Sequence, residues 1–288
     1  MNRRMTGIEG VPLKRGGWVV FLPENDELLP EERRRALIDS VFAAIDGTLA
    51  KSVRRSRHAE TWLERIGTGA RPFVYIKMFD AARGLRAIRL LFTGSRVAHV
   101  ARISTRLRTD GIGVPEILLV GVEERGGREI IATANVRGFS VLRHVSTRSE
   151  TLAAKRAVLR GLGAAVARLH RAGYLHGDLT PYNVFVGRDD PSKFVFIDHD
   201  RTRRTIMSRL ERPRMRNLVQ LGHLDFKDIT NTDRMRVWCA YSAAMPTRRR
   251  RAARRRVTAM LRARIARDRN LAQAAEATVP ERREVREG

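Results

Sequence analysis

Residues 176–198 constrain the fold of this chain more than any other stretch. They read His-Gly-Asp-Leu-Thr-Pro-Tyr-Asn-Val-Phe-Val, then a polar turn, then Phe-Val-Phe-Ile-Asp. Two short apolar runs joined by a polar turn predict a β-hairpin. Just upstream, over residues 150–171, Leu152, Val158, Leu159, Leu162, Val166 and Leu169 fall on one side of the strongest amphipathic helix in the chain. Strands that cluster before about residue 134 and helices that dominate after it make the chain as a whole read as an α+β fold.

The 288 residues are enough for one large domain or for two small lobes. Residues 1–17 are polar, basic and aperiodic, which predicts loose packing, and residues 18–22 read as a short strand. Leu37, Ile38, Val41, Phe42 and Ile45 recur at helical spacing over residues 30–45. Residues 48–53, 59–66 and 72–79 read as three antiparallel strands, separated by a basic turn at 54–58 and by Gly67-Thr68-Gly69-Ala70-Arg71. A helix over 95–109 ends at Asp110-Gly111, and residues 116–122 and 129–134 form a hairpin. Strands give way to helices near 134–139, which marks a lobe boundary. Residues 214–224 and 233–245 read as further helices. The expected organisation is an N-terminal extension with an amphipathic helix (1–46), a sheet lobe (47–136), a mostly helical lobe (137–246) and an arginine-rich helix and tail (247–288).

Lys and Arg number 57 against 31 Asp and Glu, a formal charge of +26 that points to a polyanionic partner or surface. The densest basic segment is 247–270, where Val257, Met260, Leu261 and Ile265 form a narrow apolar stripe among arginines. Cys239 is the single cysteine, so an intramolecular disulfide and a cysteine-based zinc site are excluded, and it is expected to pack as a small core hydrophobe. With no apolar run of about 18 residues, a cytoplasmic protein is expected, soluble or peripherally bound.

The loop and hairpin carry the chemistry. Phosphoryl transfer requires a group that orients the acceptor hydroxyl and takes its proton, metal ions that neutralise phosphate charge, and a cation on the remaining phosphates. Asp178 suits the first task. Asn183, five residues on, and Asp198, at the end of the hairpin, suit the second. Lys77, the one charged residue in the apolar run Phe73-Val74-Tyr75-Ile76-Lys77-Met78-Phe79, suits the third. Taken singly, each residue has an ordinary structural role, but their coincidence after one long helix favours the joint one.

In this combination the segment resembles the catalytic loop and metal-binding strand of protein-kinase-like phosphotransferases. The middle glycine of His176-Gly177-Asp178 is shared by aminoglycoside and choline phosphotransferases and by the lipopolysaccharide kinases of the Kdo/WaaP family. Asp198-His199-Asp200-Arg201 is similar to the latter, as are Arg216-Asn217-Leu218 and the run from Thr230 through Thr232-Asp233-Arg234 to Arg236. With Ser95-Arg96 opening a helix that ends before Gly111-Ile112-Gly113-Val114-Pro115, the resemblance spans residues 47–245. It implies a bilobal protein-kinase-like fold that uses ATP and Mg²⁺. Lys77 would anchor phosphate, Asp178 would be catalytic, Asn183 and Asp198 would hold Mg²⁺, and Ala134 to Val136 would form the hinge against adenine. The implied acceptor is the lipopolysaccharide core or another anionic glycan, with Kdo and heptose both open. A protein Ser/Thr kinase, a small-molecule phosphotransferase and a non-catalytic binder of anionic surfaces are the alternatives. Peripheral contact with the inner membrane is expected of residues 247–270, and nucleic acid is not the expected partner. Two departures stand out: the 95–109 helix has no glutamate to pair with Lys77, its place falling to His99 or Val100, and residues 54–58 contain no glycine to cover phosphates.

Overall fold

The computed structural model describes residues 10–23, 29–49, 52–56, 58–68, 72–81, 94–148, 151–206, 211–222, 229–245 and 250–277. Contacts divide the chain into two compact units: residues 1–141 with 183–203, and residues 142–182 with 204–288. The 183–203 segment, which carries the hairpin, thus belongs with the first unit.

The first unit is built on an antiparallel sheet. Gly16 and Gly17, at φ 58° and 77°, supply the left-handed turn of a two-residue hairpin and join β1 (Val11–Arg15) to β2 (Trp18–Leu22). Residues 11–15 are thus a paired strand and not disordered, although their side chains stay mostly exposed. β3 (Arg54–Ser56), β4 (Ala59–Arg65), β5 (Phe73–Phe79), β6 (Ile117–Glu123) and β7 (Glu129–Ala134) complete the order β1-β2-β6-β7-β5-β4-β3. The basic segment expected as a turn is an exposed edge strand, whose arginines suit an edge that must not pair further. The turn itself is closed by Ser56 Oγ, which accepts from His58 N and Ala59 N. Residues 48, 49, 52 and 53 are not strand, and the rest of the strand expected at 48–53 lies outside the described residues.

Side-chain alternation sends two apolar sets to opposite faces of this sheet. Trp18, Val20, Trp62, Val74, Ile76 and Ile130 meet Leu37, Val41 and Phe42 of α1 (Glu31–Ile45) on one face. Phe79, Val120, Val122 and Ile131 meet Val97, Ala98 and Val100 of α2 (Arg96–Thr109) on the other. Lys77 stands opposite Ile131 and two residues from Phe79, so its side chain emerges on the α2 face. A smaller sheet, in the order β10-β9-β8, joins β8 (Gly138–Ser140) to the hairpin strands β9 (Val184–Gly187) and β10 (Phe194–Phe196).

The second unit is helical. α3 (Leu152–Arg171), α4 (Glu211–Gly222), α5 (Asn231–Ala244) and α6 (Arg250–Ala277) account for most of it. α3 and α5 pack closely at Gly163, where an added Cβ would run into Val237 O and lie 2.9 Å from Tyr241 N. Thr230 and Asp233 form a reciprocal capping box at the start of α5. Lys155 Nζ, 3.0 Å from Asp233, ties α3 to that cap. Leu152 is 68% exposed, because it opens α3 directly after the Thr151 cap and precedes the packed face. Cys239 is exposed on α5 rather than buried in a core.

Candidate active site

Lys77 and the end of the hairpin form a charged cluster in the first unit. Lys77 Nζ donates to Asp198 Oδ1 at 2.6 Å and lies 3.8 Å from Asp200 Oδ1. Asp198 has a left-handed backbone, φ 66°, and no other described non-glycine residue has positive φ. Such a conformation costs on the order of 1–2 kcal/mol and clusters at functional sites. It swings the chain out of β10 into a single helical turn, His199–Arg201, and so brings a second carboxylate back toward the lysine. Burial pushes Asp200 up to about 6; neighbouring Asp198 adds to the rise and Lys77 opposes it.

The turn after Asp198 is held by two histidines. His199 is buried, with Nε2 2.8 Å from Phe196 O and Nδ1 3.1 Å from Thr202 Oγ1. His99 Nε2, on α2, lies 2.8 Å from Thr202 O. A carbonyl accepts only, so each Nε2 carries the proton and donates. α2 itself is fixed by Ser95 Oγ, which accepts from Ala98 N at 3.2 Å, and by the buried Glu129 carboxylate, which accepts from Arg96 N at 2.9 Å and Val97 N at 3.3 Å. The missing helix glutamate thus has two replacements. Asp198 and Asp200 take Lys77, while His99 ties α2 to the turn.

Asn183 is buried at the mouth of the hairpin, its backbone carbonyl accepting from Ile197 N at 3.0 Å. Ala134 closes β7, and its N–H donates within the unit to Glu116 O at 2.8 Å. Val136 is half-buried in the link from β7 to β8.

Asp178 belongs to the second unit, half-buried in a loop clamped by α4. Gly177, at φ 80°, explains the middle glycine: a side chain there is strained. Asn217 Oδ1 accepts from His176 N at 3.1 Å, Gln220 Oε1 accepts from Leu179 N at 3.3 Å, and Gln220 Nε2 donates to Gly177 O at 3.0 Å. Asn217 Nδ2 donates to Gln220 Oε1 at 2.9 Å, so the two amides act as one clamp. Beneath them His170 Nε2 donates to Asn217 Oδ1 at 3.2 Å, and Tyr241 OH lies 3.0 Å from His170 Nδ1. Complete burial lowers His170 to about 4, and burial pushes the Tyr241 hydroxyl up to about 12. The network is therefore neutral at physiological pH, with the tyrosine hydroxyl donating to an unprotonated Nδ1.

The structure therefore brings Lys77 and Asp198 together and places Asp178 on a separately clamped loop in the other unit. The sequence pattern did not single out Gln220, nor Asn217 as a loop clamp. Their i, i+3 spacing on one face of α4 was the available signal.

A strand lysine, a loop with aspartate and a following asparagine, and a hairpin that ends on aspartate define a protein-kinase-like fold. A model of the lipopolysaccharide kinase (Kdo/WaaP) family matches residues 88–241, more than half of the chain, and the protein belongs to that family. Asp178, Asn183, Asp198, Asp200, Asn217 and Gln220 all lie within the match, whereas Lys77 precedes it. The chain is also 31% identical over 100 residues to EKC/KEOPS complex subunit BUD32 of Gibberella zeae, covering 33% of this chain and 37% of that protein. The crystal structure of WbdD is similar over 72% of this chain and 49% of its own, with 15% identity and a TM-score of 0.43. The chain thus spans little more than a third of the curated relative and about half of the solved one.

The residues present suit Mg²⁺. Asn183 and Asp198 offer hard oxygen donors of the kind this ion takes, with phosphate and water completing its shell. Asp198 and Asp200 share a single lysine, two carboxylates against one ammonium, a charge balance that a divalent cation suits. Among the described residues there is no separate cluster of three or more His, Cys, Asp or Glu that would hold a metal alone.

Proposed function

We propose that this protein is an ATP-dependent kinase that phosphorylates a sugar hydroxyl of the lipopolysaccharide inner core, on Kdo or heptose, at the cytoplasmic face of the inner membrane. The observation that carries this reading is the Lys77–Asp198–Asp200 cluster in a chain of the Kdo/WaaP family. Asp178 accepts the proton of the acceptor hydroxyl as its oxygen attacks the γ-phosphorus, and ADP leaves. Lys77 moves from Asp198 to the non-transferred phosphates. Asn183 and Asp198 hold Mg²⁺, which neutralises charge on the phosphate oxygens. Ala134 to Val136 pack against the adenine. The net charge of +26 suits an acceptor rich in carboxylate and phosphate.

Mass spectrometry of the lipopolysaccharide from cells with and without the protein tests both reaction and acceptor. The expected result is one phosphate of extra mass on a core sugar when the protein is present. Identical core masses, together with transfer from labelled ATP to a protein or a free sugar instead, would reassign the acceptor.

A further inference from the structure

α6 departs from the other helices of the second unit in how it divides its surface. Its apolar side is already used. Ala253 is buried, Val257, Met260, Leu261 and Ile265 are half-buried, and Leu261 Cδ2 would lie 3.3 Å from a Cβ on Gly222 of α4. Over residues 251–267 the remaining surface is exposed and dominated by arginine, Arg251, Arg254, Arg255, Arg256, Arg262, Arg264 and Arg267, with no acidic residue between 250 and 267. Arg251, Arg255 and Arg262 follow one another at i, i+4 and i+11, which places them on one line of the helix. Packing accounts for the apolar stripe, and among the described residues no acidic side chain forms an ion pair with the arginine face.

We propose that this arginine face is a docking surface for a bilayer of anionic lipid headgroups. The inference rests on the reading that the acceptor is a lipid-anchored glycan, which would bring the enzyme to a membrane. Two features favour headgroups over nucleic acid. α6 contains no Phe, Tyr or Trp, so it has no platform on which bases stack. Its cations lie along a straight line on a solvent-facing surface, the geometry with which a helix lies on a plane of phosphates. Among the described residues no helix is long and apolar enough to cross a membrane, so the contact is peripheral. The helix against which α6 packs is α4, whose Asn217 and Gln220 clamp the Asp178 loop. One rigid element therefore links the docking face to that loop, and a docked α6 fixes the loop's orientation to the membrane plane.

The test is co-sedimentation of the full chain, without ATP, with vesicles of phosphatidylcholine alone and of phosphatidylcholine with phosphatidylglycerol. Duplex DNA at matched phosphate concentration serves as the competitor. Binding should require phosphatidylglycerol and fall steeply with salt. The triple substitution R251Q/R255Q/R262Q should weaken it by about tenfold to a hundredfold. The unfolding temperature and turnover on a delipidated acceptor should stay unchanged. Absence of binding by the natural chain at low salt, or equal binding by the triple variant, would overturn the proposal. DNA that displaces the protein from vesicles at sub-stoichiometric phosphate would reassign the face to nucleic acid. Because no nucleotide is present, these outcomes are separate from failure of the kinase reading, which appears as absent transfer to any acceptor.

Discussion

The two regions that carry the candidate chemistry are built in opposite ways. The Lys77 cluster is charged and partly open to solvent, with two carboxylates competing for one ammonium. The Asp178 loop is gripped through its backbone by neutral amides over a buried, neutral histidine. Charge that must be exchanged for a ligand sits where exchange is cheap, because a partly exposed ion pair is held weakly. A group that must stay in one place is held by hydrogen bonds whose loss leaves buried donors unsatisfied. The first region is poised to change partners, and the second to resist change.

This contrast is broken most sharply at Lys77. Lys77→Met should slow phosphate transfer by about a hundredfold or more, the scale expected for one lost electrostatic contact to the transition state. It should scarcely move the unfolding temperature; a large thermal loss would mean that the cluster is a structural ion pair. Asn217→Ala should behave in the reverse manner. It strands the donors of His170 and His176 together, so thermal or denaturant unfolding should register a loss of about 2–4 kcal/mol. Its effect on transfer should lie in kcat, with KM for ATP unchanged.

The smallest effect expected is in pH dependence. His170 is neutral when folded, with its pKa lowered from 6.5 to about 4. The unfolded chain therefore binds more protons between those values. The stability this histidine contributes is complete above about pH 6.5 and is lost as pH falls toward 4, by about 2 kcal/mol at pH 5. His170→Gln should flatten the acid limb of the stability curve relative to the natural chain. Parallel curves for the two proteins would show that His170 is not the group responsible.

Much of this was legible in the residues alone, for physical reasons. The hairpin of β9 and β10 announces itself because a half-buried strand alternates and a polar turn interrupts it. The spacing of Asp178, Asn183 and Asp198 is local in the chain, so it survives without knowledge of the fold. β1 was missed because its side chains are mostly exposed and its signal lies in the Gly16-Gly17 turn, not in hydrophobicity. β3 was misread because an edge strand of Arg54, Arg55 and Ser56 has the composition of a turn. The grip of Gln220 on Gly177 and Leu179, and the pairing of Lys77 with Asp198 and Asp200, bridge more than 40 residues and leave no periodic trace.

The most direct measurement is transfer of the γ-phosphate of labelled ATP to purified lipopolysaccharide core by the natural chain and by Asp178→Asn. The natural chain should label a core sugar. The variant, folded as judged by its unfolding temperature, should be slower by about 10²- to 10⁴-fold, the range for a lost general base. Equal labelling by the two proteins would contradict the assignment of Asp178 and with it the proposed mechanism.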